Sequence, residues 1–201
     1  MAITINGDGT LTGISVGGLP DGIVDTDMLA TDAVSAAKLQ AGAGGKILQV
    51  VQTVKTDTSA QATQTTMADI PGMSVAITPS STSSKVLVRI GLGVIGTATA
   101  ERGITFTLLR DSTAIGLGDD SGNASIESCT FATQAGDSTY MEGGVFYEFL
   151  DSPSTTSEVT YKLQWQTFSN ANIYLNRTGS GSTGEWNKRG SSTITAMEVS
   201  G

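Results

Sequence analysis

The chain has 201 residues, of which 38% are hydrophobic, 5% aromatic and 15% charged, and its formal net charge is −8. Because phosphate neutralisation requires a basic footprint, this charge balance excludes a typical nucleic-acid binder. The sequence has no histidine and a single cysteine, Cys129, which excludes Ser-His-Asp and Cys-His catalytic groups, an intrachain disulfide and a thiolate zinc site, so we expect no cofactor.

Residues 1–20 are predicted to form one or two short strands separated by glycine turns. The segment lacks the basic and apolar regions of a signal peptide. An apolar, alternating strand of this kind can add to a sheet edge on a partner protein. We therefore predict an attachment segment, with these candidate contact residues: Ile3, Ile5, Leu11 and Ile14.

Residues 21–46 contain a near-duplication, GIVDTDMLAT followed by DAVSAAKLQA, and end in the small-residue hinge AGAGGK. The apolar repeat is ten residues rather than a heptad, so a short helix and an extended stalk both remain open. A buried Val or Leu side chain contributes about 1.5–3 kcal/mol, which favours packing of this segment against copies of itself. The predicted seam between copies, which the resemblance described below implies to be a trimer seam, is Val24, Leu29, Val34 and Leu39; the alternative is a flexible tether.

From residue 47 to residue 201 the pattern changes to short, alternating strands divided by turn-rich runs. KVLVRIGLGVI (85–95) places Val86, Val88, Ile90, Leu92 and Val94 on one face, and VTYKLQWQTF (159–168) does so with Val159, Tyr161, Leu163 and Trp165. About nine or ten such strands predict a mainly β chain with an antiparallel β-sandwich or jelly-roll-like C-terminal domain. Cys129 is expected to be a buried structural thiol, because it lies in an apolar strand.

Two aromatic residues are candidate receptor or glycan contacts. Trp186 lies in the polar stretch TGEWNKRG, so its ring could be exposed, and packing at a trimer interface or under a loop is the alternative. Tyr174 lies in the strand-like NIYLN, where packing beside the core is the alternative. The carboxylates lie mostly in turn-like runs with few aromatic neighbours, which disfavours glycoside hydrolysis.

Several strings occur in order along almost the whole chain: ITINGDGTLTGISVGGLPDG, KILQVVQTVKTDT, SVAITPSSTSSKVLV, FTLLRDSTAIGLGD, LDSPSTTSEVTYKLQW and STITAMEVSG. In their order and phrasing they resemble tail-fibre-like structural proteins of tailed bacteriophages, especially marine and cyanobacterial phages. The resemblance implies a homotrimeric virion component, assembled in the host cytoplasm, that attaches through its N-terminal portion and turns a β-rich portion outward. Because such fibres are often much longer, a short fibre, or a fibre or decoration protein of the head, is favoured here.

We therefore expect residues 1–20 to be a virion anchor, residues 21–46 a trimerising stalk and hinge, and residues 47–201 a β-sandwich head domain. The leading function is a non-enzymatic, short trimeric tail fibre for host attachment. The alternatives are a capsid decoration, cement or head-fibre protein, and a carbohydrate-binding or depolymerising module. Expected partners are further copies of the chain, other virion proteins and a host-surface glycan or protein. The sequence contains no run of about 18 apolar residues, so membrane insertion is not predicted.

Overall fold

The computed structural model describes residues 4–5, 11–12, 34, 45–61, 66–97, 103–119, 127–132, 143–167, 172–179, 184–185 and 187–201. The chain divides into two compact units, Met1–Gly44 and Gly45–Gly201, called here the N-terminal unit and the sandwich domain. In the N-terminal unit, β1 (Thr4–Ile5) pairs antiparallel with β2 (Leu11–Thr12). The question of a helix or an extended stalk in residues 21–40 lies outside the described residues, apart from Val34.

The sandwich domain consists of antiparallel strands, and no helix occurs among the described residues. The strands are β3 (Ile47–Lys55), β4 (Ser59–Gln61), β5 (Ala68–Ile77), β6 (Lys85–Thr97), β7 (Gly103–Arg110), β8 (Thr113–Ile115), β9 (Cys129–Ala132), β10 (Gly143–Asp151), β11 (Val159–Thr167), β12 (Ile173–Leu175) and β13 (Ser192–Val199). The prediction of a mainly β, sandwich-like antiparallel fold is confirmed.

Strand β6 organises the larger, six-stranded sheet, in which five strands follow the order β3-β13-β6-β12-β4 and the sixth, β10, also pairs with β6. Its residues 86–91 pair with β13 and also with β10, so those two strands lie on opposite edges of β6. The smaller, five-stranded sheet has the order β5-β11-β7-β8, and β9 also pairs with β7. One apolar core fills the space between the two sheets, because each sheet turns its alternate apolar side chains inward.

In β11 and in most of β6, the residues predicted to face the core do so. All four predicted inward residues of β11 are buried, as are Val86, Val88, Ile90 and Leu92 of β6. The prediction for Val94 is wrong, since Val94 is half-buried and its neighbour Ile95 takes the core position. The reason is a bulge in β6 itself: Gly143 and Val145 of β10 pair with Ile95 and Leu92, so Gly93 and Val94 together lie opposite one residue and the following side chains change sides.

Asp151, at the end of β10, joins the two sheets through polar contacts. Its carboxylate accepts hydrogen bonds from Tyr161 Oη at 2.7 Å and from Arg110 Nη1 at 2.8 and 2.9 Å. Asp151 and Tyr161 are both buried. Burial and the hydrogen bond to Asp151 raise the pKa of Tyr161, so the phenol remains a donor. The cluster therefore fixes β10 against β7 and β11.

Glu198 is an inward-facing carboxylate near the end of β13, with 1% of its surface exposed. It accepts hydrogen bonds from Ser80 N and Ser80 Oγ at 2.7 and 2.6 Å and from Gln49 Nε2 at 2.6 Å. Burial raises its pKa, but the bonds from Ser80, Ser84 and Gln49 outweigh that effect and lower it to about 2. Glu198 thus ties the segment around Ser80 to β13 as a buried anion.

Cys129 begins β9, is half-buried and packs against the core. Burial raises the pKa of its thiol to about 11. Because the thiolate is the reactive form, this thiol is chemically quiet at neutral pH. Cys129 is thus less buried than predicted, and its packing against the core is consistent with a structural role.

Candidate interaction surface

Four neighbouring strands of the larger sheet, β3, β13, β6 and β10, carry a row of apolar side chains on the side turned away from the core. We call this side the outer face. Val50 pairs with Met197, Met197 with Leu87, and Leu87 with Leu150, so the four form one line across the sheet. Val50 is 57% exposed and Leu150 47% exposed, and Leu48, two residues before Val50 on β3, is an exposed apolar residue of the adjoining row.

The next row of the outer face is polar and contains a compensated charge pair. Arg89 Nε lies 3.3 Å from a carboxylate oxygen of Glu148, its register partner on β10. On the other side of Arg89, Gln52 Nε2 donates to Thr195 Oγ1 at 2.7 Å. Both charged side chains are about half exposed, so the pair stays hydrated and places no net charge on this row.

A shallow depression of about 360 Å³ lies over the polar row and the row that follows it. Phe146, 63% exposed, is one of its lining residues, which are Gln52, Arg89, Gly91, Phe146, Thr193, Thr195 and Met197. The row is open at Gly91 because that residue has no side chain between Thr193 and Phe146, its two register partners. The Arg89 guanidinium lies 5.2 Å from the centroid of the Phe146 ring, within the range of a cation–π contact. The outer face thus presents an exposed aromatic ring at the margin of a depression.

The structure brings together one pair of the predicted anchor residues. Ile5 and Leu11 are register partners in the two-stranded sheet of the N-terminal unit. Ile3 and Ile14 lie outside the described residues, and the anchoring role stays a prediction.

The predicted trimer seam falls almost entirely outside the described residues. Val34 is described and exposes 49% of its surface, whereas Val24, Leu29 and Leu39 are not described. The exposed half of the Val34 side chain could be covered by another copy of the chain. Convergence of the four predicted seam residues stays a prediction.

Tyr174 lies in β12, as its strand-like context indicated, and only 8% of its surface is exposed. The Arg177 guanidinium lies 3.8 Å from the centroid of its ring. A sugar could therefore stack on Tyr174 only after Arg177 moved away. Trp186 lies outside the described residues, so its candidate role in glycan contact stays a prediction.

Sequence reasoning missed the exposed apolar residues of the outer face, although β3 and β10 contain a signal. In ILQVVQTV and GGVFYEFL, apolar residues occupy both alternating sets of positions. Such strands are typical of sheets covered on both faces. Here β10 directs Val145, Tyr147 and Phe149 towards the core, while Phe146 and Leu150 remain exposed.

The described part of the chain has no helix long and apolar enough to cross a membrane. Within the same residues, no cluster of three or more His, Cys, Asp or Glu side chains could hold a metal ion.

The sequence matches no protein-family profile and no curated protein. The fold is similar to solved structures of infectious bursal disease virus. The structure of the Gt strain has 13% identity and a TM-score of 0.36, and the match covers 75% of this chain and 39% of that chain. The VP2 subviral particle has 12% identity and a TM-score of 0.37, with the same two coverages, 75% and 39%. This chain therefore spans less than half the length of those viral chains.

Proposed function

We propose that the chain is a non-enzymatic structural component of a virus particle. In its specific form the proposal is a short trimeric tail fibre that anchors through residues 1–20 and presents the sandwich domain outward for host attachment. The observation that carries it is the division of the chain into a small N-terminal unit and a separate β-sandwich domain. This organisation suits a protein that attaches at one end and displays the other, and the phage-fibre-like strings support the same role.

Attachment is proposed to use the two-stranded sheet of the N-terminal unit. β1 and β2 are each two residues long, and a sheet this small gains stability when a partner strand or surface covers it. The register pair of Ile5 and Leu11 supplies apolar residues for such a contact. The partner is another virion protein with an open sheet edge or an apolar groove.

Replacing Ile5 and Leu11 together by Asp is expected to lower incorporation of the chain into particles at least about tenfold, because charged residues disfavour an apolar contact. The measurement is the amount of the chain per purified particle, determined by quantitative mass spectrometry after infection with a virus carrying the variant. The adjoining register pair, Thr4 and Thr12, replaced by Asp in the same way, is the matched control. Both variants should keep the solution mass of the wild-type chain, so that lost incorporation reports attachment.

Equal incorporation of the Ile5/Leu11 variant and the wild-type chain would contradict the anchor. Copy number per particle distinguishes the two structural roles: a few copies at one site indicate a tail or head fibre, whereas many copies spread over the head indicate a decoration or cement protein. A chain absent from purified particles would contradict the virion role as a whole.

A further inference from the structure

We infer that the outer face is a self-association surface, on which a second copy of this chain packs with Phe146 of each copy entering the depression beside Gly91 of the other. The inference adds a contact between sandwich domains to the proposed function and does not depend on attachment to a particle. The surface consists of the outer sides of β3, β13, β6 and β10.

The apolar row is the first reason to expect a covering layer. Val50 and Leu150 lie at its two ends, Met197 and Leu87 lie between them, and Val54 and Phe146 are exposed in the third row. A contiguous exposed apolar strip of this kind marks an interaction surface more often than isolated apolar residues do. A sheet turns such a side towards another sheet at about 10 Å separation.

Charge favours a second copy over a basic or an acidic partner. The whole chain carries a net charge of −8, which makes random contacts between copies repulsive. On the outer face Glu148 is compensated by Arg89 at 3.3 Å, and Lys85 is the other charged residue of the same side of β6. The two rows that hold Arg89, Glu148 and Phe146 are therefore neutral, and Lys85 lies two residues beyond the apolar row on β6. Two acidic chains can approach at these rows without repulsion between carboxylates, and Arg89 and Glu148 can also pair between copies.

Shape points to a two-fold arrangement. The ring of Phe146 projects beside a recess of about 360 Å³, which is large enough for an aromatic side chain. Because the ring and the recess are neighbours on one face, a two-fold rotation brings each ring into the recess of the other copy. Interfaces with two-fold symmetry have this self-complementarity. The two Phe146 rings would then lie close enough to stack, with centroids about 4.5–7 Å apart.

The available area is sufficient for a stable pair. β3 is nine residues long, which corresponds to about 30 Å, and four strands span about 19 Å. The product is about 500–600 Å² per copy, or above about 1,000 Å² in total, which is the size that a specific interface should reach.

The test compares the solution masses of three full-length chains by sedimentation velocity over a range of concentrations. The wild-type chain is expected to form assemblies with twice the mass of those formed by Phe146→Asp, whose dissociation constant for pairing should rise at least about a hundredfold. Ser74→Asp introduces the same charge at an exposed position on the other sheet, and should keep the wild-type mass. Phe146 is 63% exposed, so the variant should fold. Val50→Lys, at the far end of the apolar row, is the second disrupting variant.

Equal masses for the wild-type chain, Phe146→Asp and Val50→Lys would overturn the inference. The inference would also be overturned if Ser74→Asp halved the mass, because dissociation would then result from added negative charge anywhere on the domain. The mass of the Phe146→Asp assembly separately tests the trimer of the proposed function. A mass of three chains, each of 20.6 kDa, supports the predicted seam. A mass of one chain contradicts the seam, and the inference about the outer face is then judged only by the comparison with the wild-type chain.

Discussion

Replacing Asp151 by Ala is expected to lower the free energy of unfolding by about 2–4 kcal/mol, because a buried phenol loses its acceptor and a partly buried guanidinium keeps only the Ser152 carbonyl oxygen at 3.4 Å. Tyr161 has no exposed surface, and its hydroxyl has Asp151 as its hydrogen-bond acceptor at 2.7 Å. The Arg110 side chain keeps 26% exposure, so water compensates part of its loss. Chemical denaturation with both circular dichroism and tryptophan fluorescence measures the change.

Two graded controls accompany this prediction. Tyr161→Phe removes one hydrogen bond to a charged group and should cost about 1.5 kcal/mol. Asp69→Ala breaks an ion pair with Lys162 in which the Asp69 side chain is 53% exposed, and should cost less than about 1 kcal/mol. A loss for Asp151→Ala no larger than that for Asp69→Ala would show that the Asp151 cluster does not hold the two sheets together.

The second large effect is a loss of stability in acid that depends on Glu198. Its pKa is about 2 in the folded chain against an ordinary value of 4.5, so the unfolded chain binds the proton more readily. The resulting stabilisation is fully present above pH 4.5 and is lost as the pH falls through about 2. A depression of this size corresponds to stabilisation on the order of 3 kcal/mol.

Glu198→Gln removes the titrating group, so the variant should be less stable than the wild-type chain at pH 7, and the difference should shrink as the pH falls towards 2. Urea denaturation midpoints across this range give the comparison. Glu148→Gln is the matched control, because Glu148 is about half exposed on the outer face. A difference between wild-type and Glu198→Gln that stays constant from pH 7 to pH 2 would contradict the proposed role of Glu198.

The sequence predicts the sandwich well because strand alternation is a local property. β11 needs only its own period of two to show that Val159, Tyr161, Leu163 and Trp165 face the core. Val94 fails because β6 bulges at this point: Gly93 and Val94 together take the register space of one residue of β10. The period of two gives the strand and its face, but not the point at which pairing with a partner strand interrupts that period.

The hydrogen bonds of Glu198 could not be predicted from the sequence, because they join residues that are far apart along the chain. In STITAMEV the alternation places Glu198 on the inward side with Ile194 and Ala196, which looks unfavourable for a carboxylate. The donors that stabilise it, on Ser80 and Gln49, are 118 and 149 residues away. The outer face was missed because exposure of Phe146 and Leu150 depends on what covers the sheet, and a single sequence carries no direct record of that.

The place of β13 in the larger sheet has a consequence for the order of events during synthesis. This strand, residues 192–199, lies between β3 and β6, which end at Lys55 and Thr97, about 95 or more residues earlier in the chain. Until it inserts, β3 and β6 have open edges, and formation of the sheet waits for contacts of long sequence separation, which slows folding. Met197, Thr195 and Thr193 of the outer face also arrive with this strand. The outer face is therefore complete only after each chain has closed its own sheet, and chains still on the ribosome lack the part of the proposed pairing surface that β13 supplies.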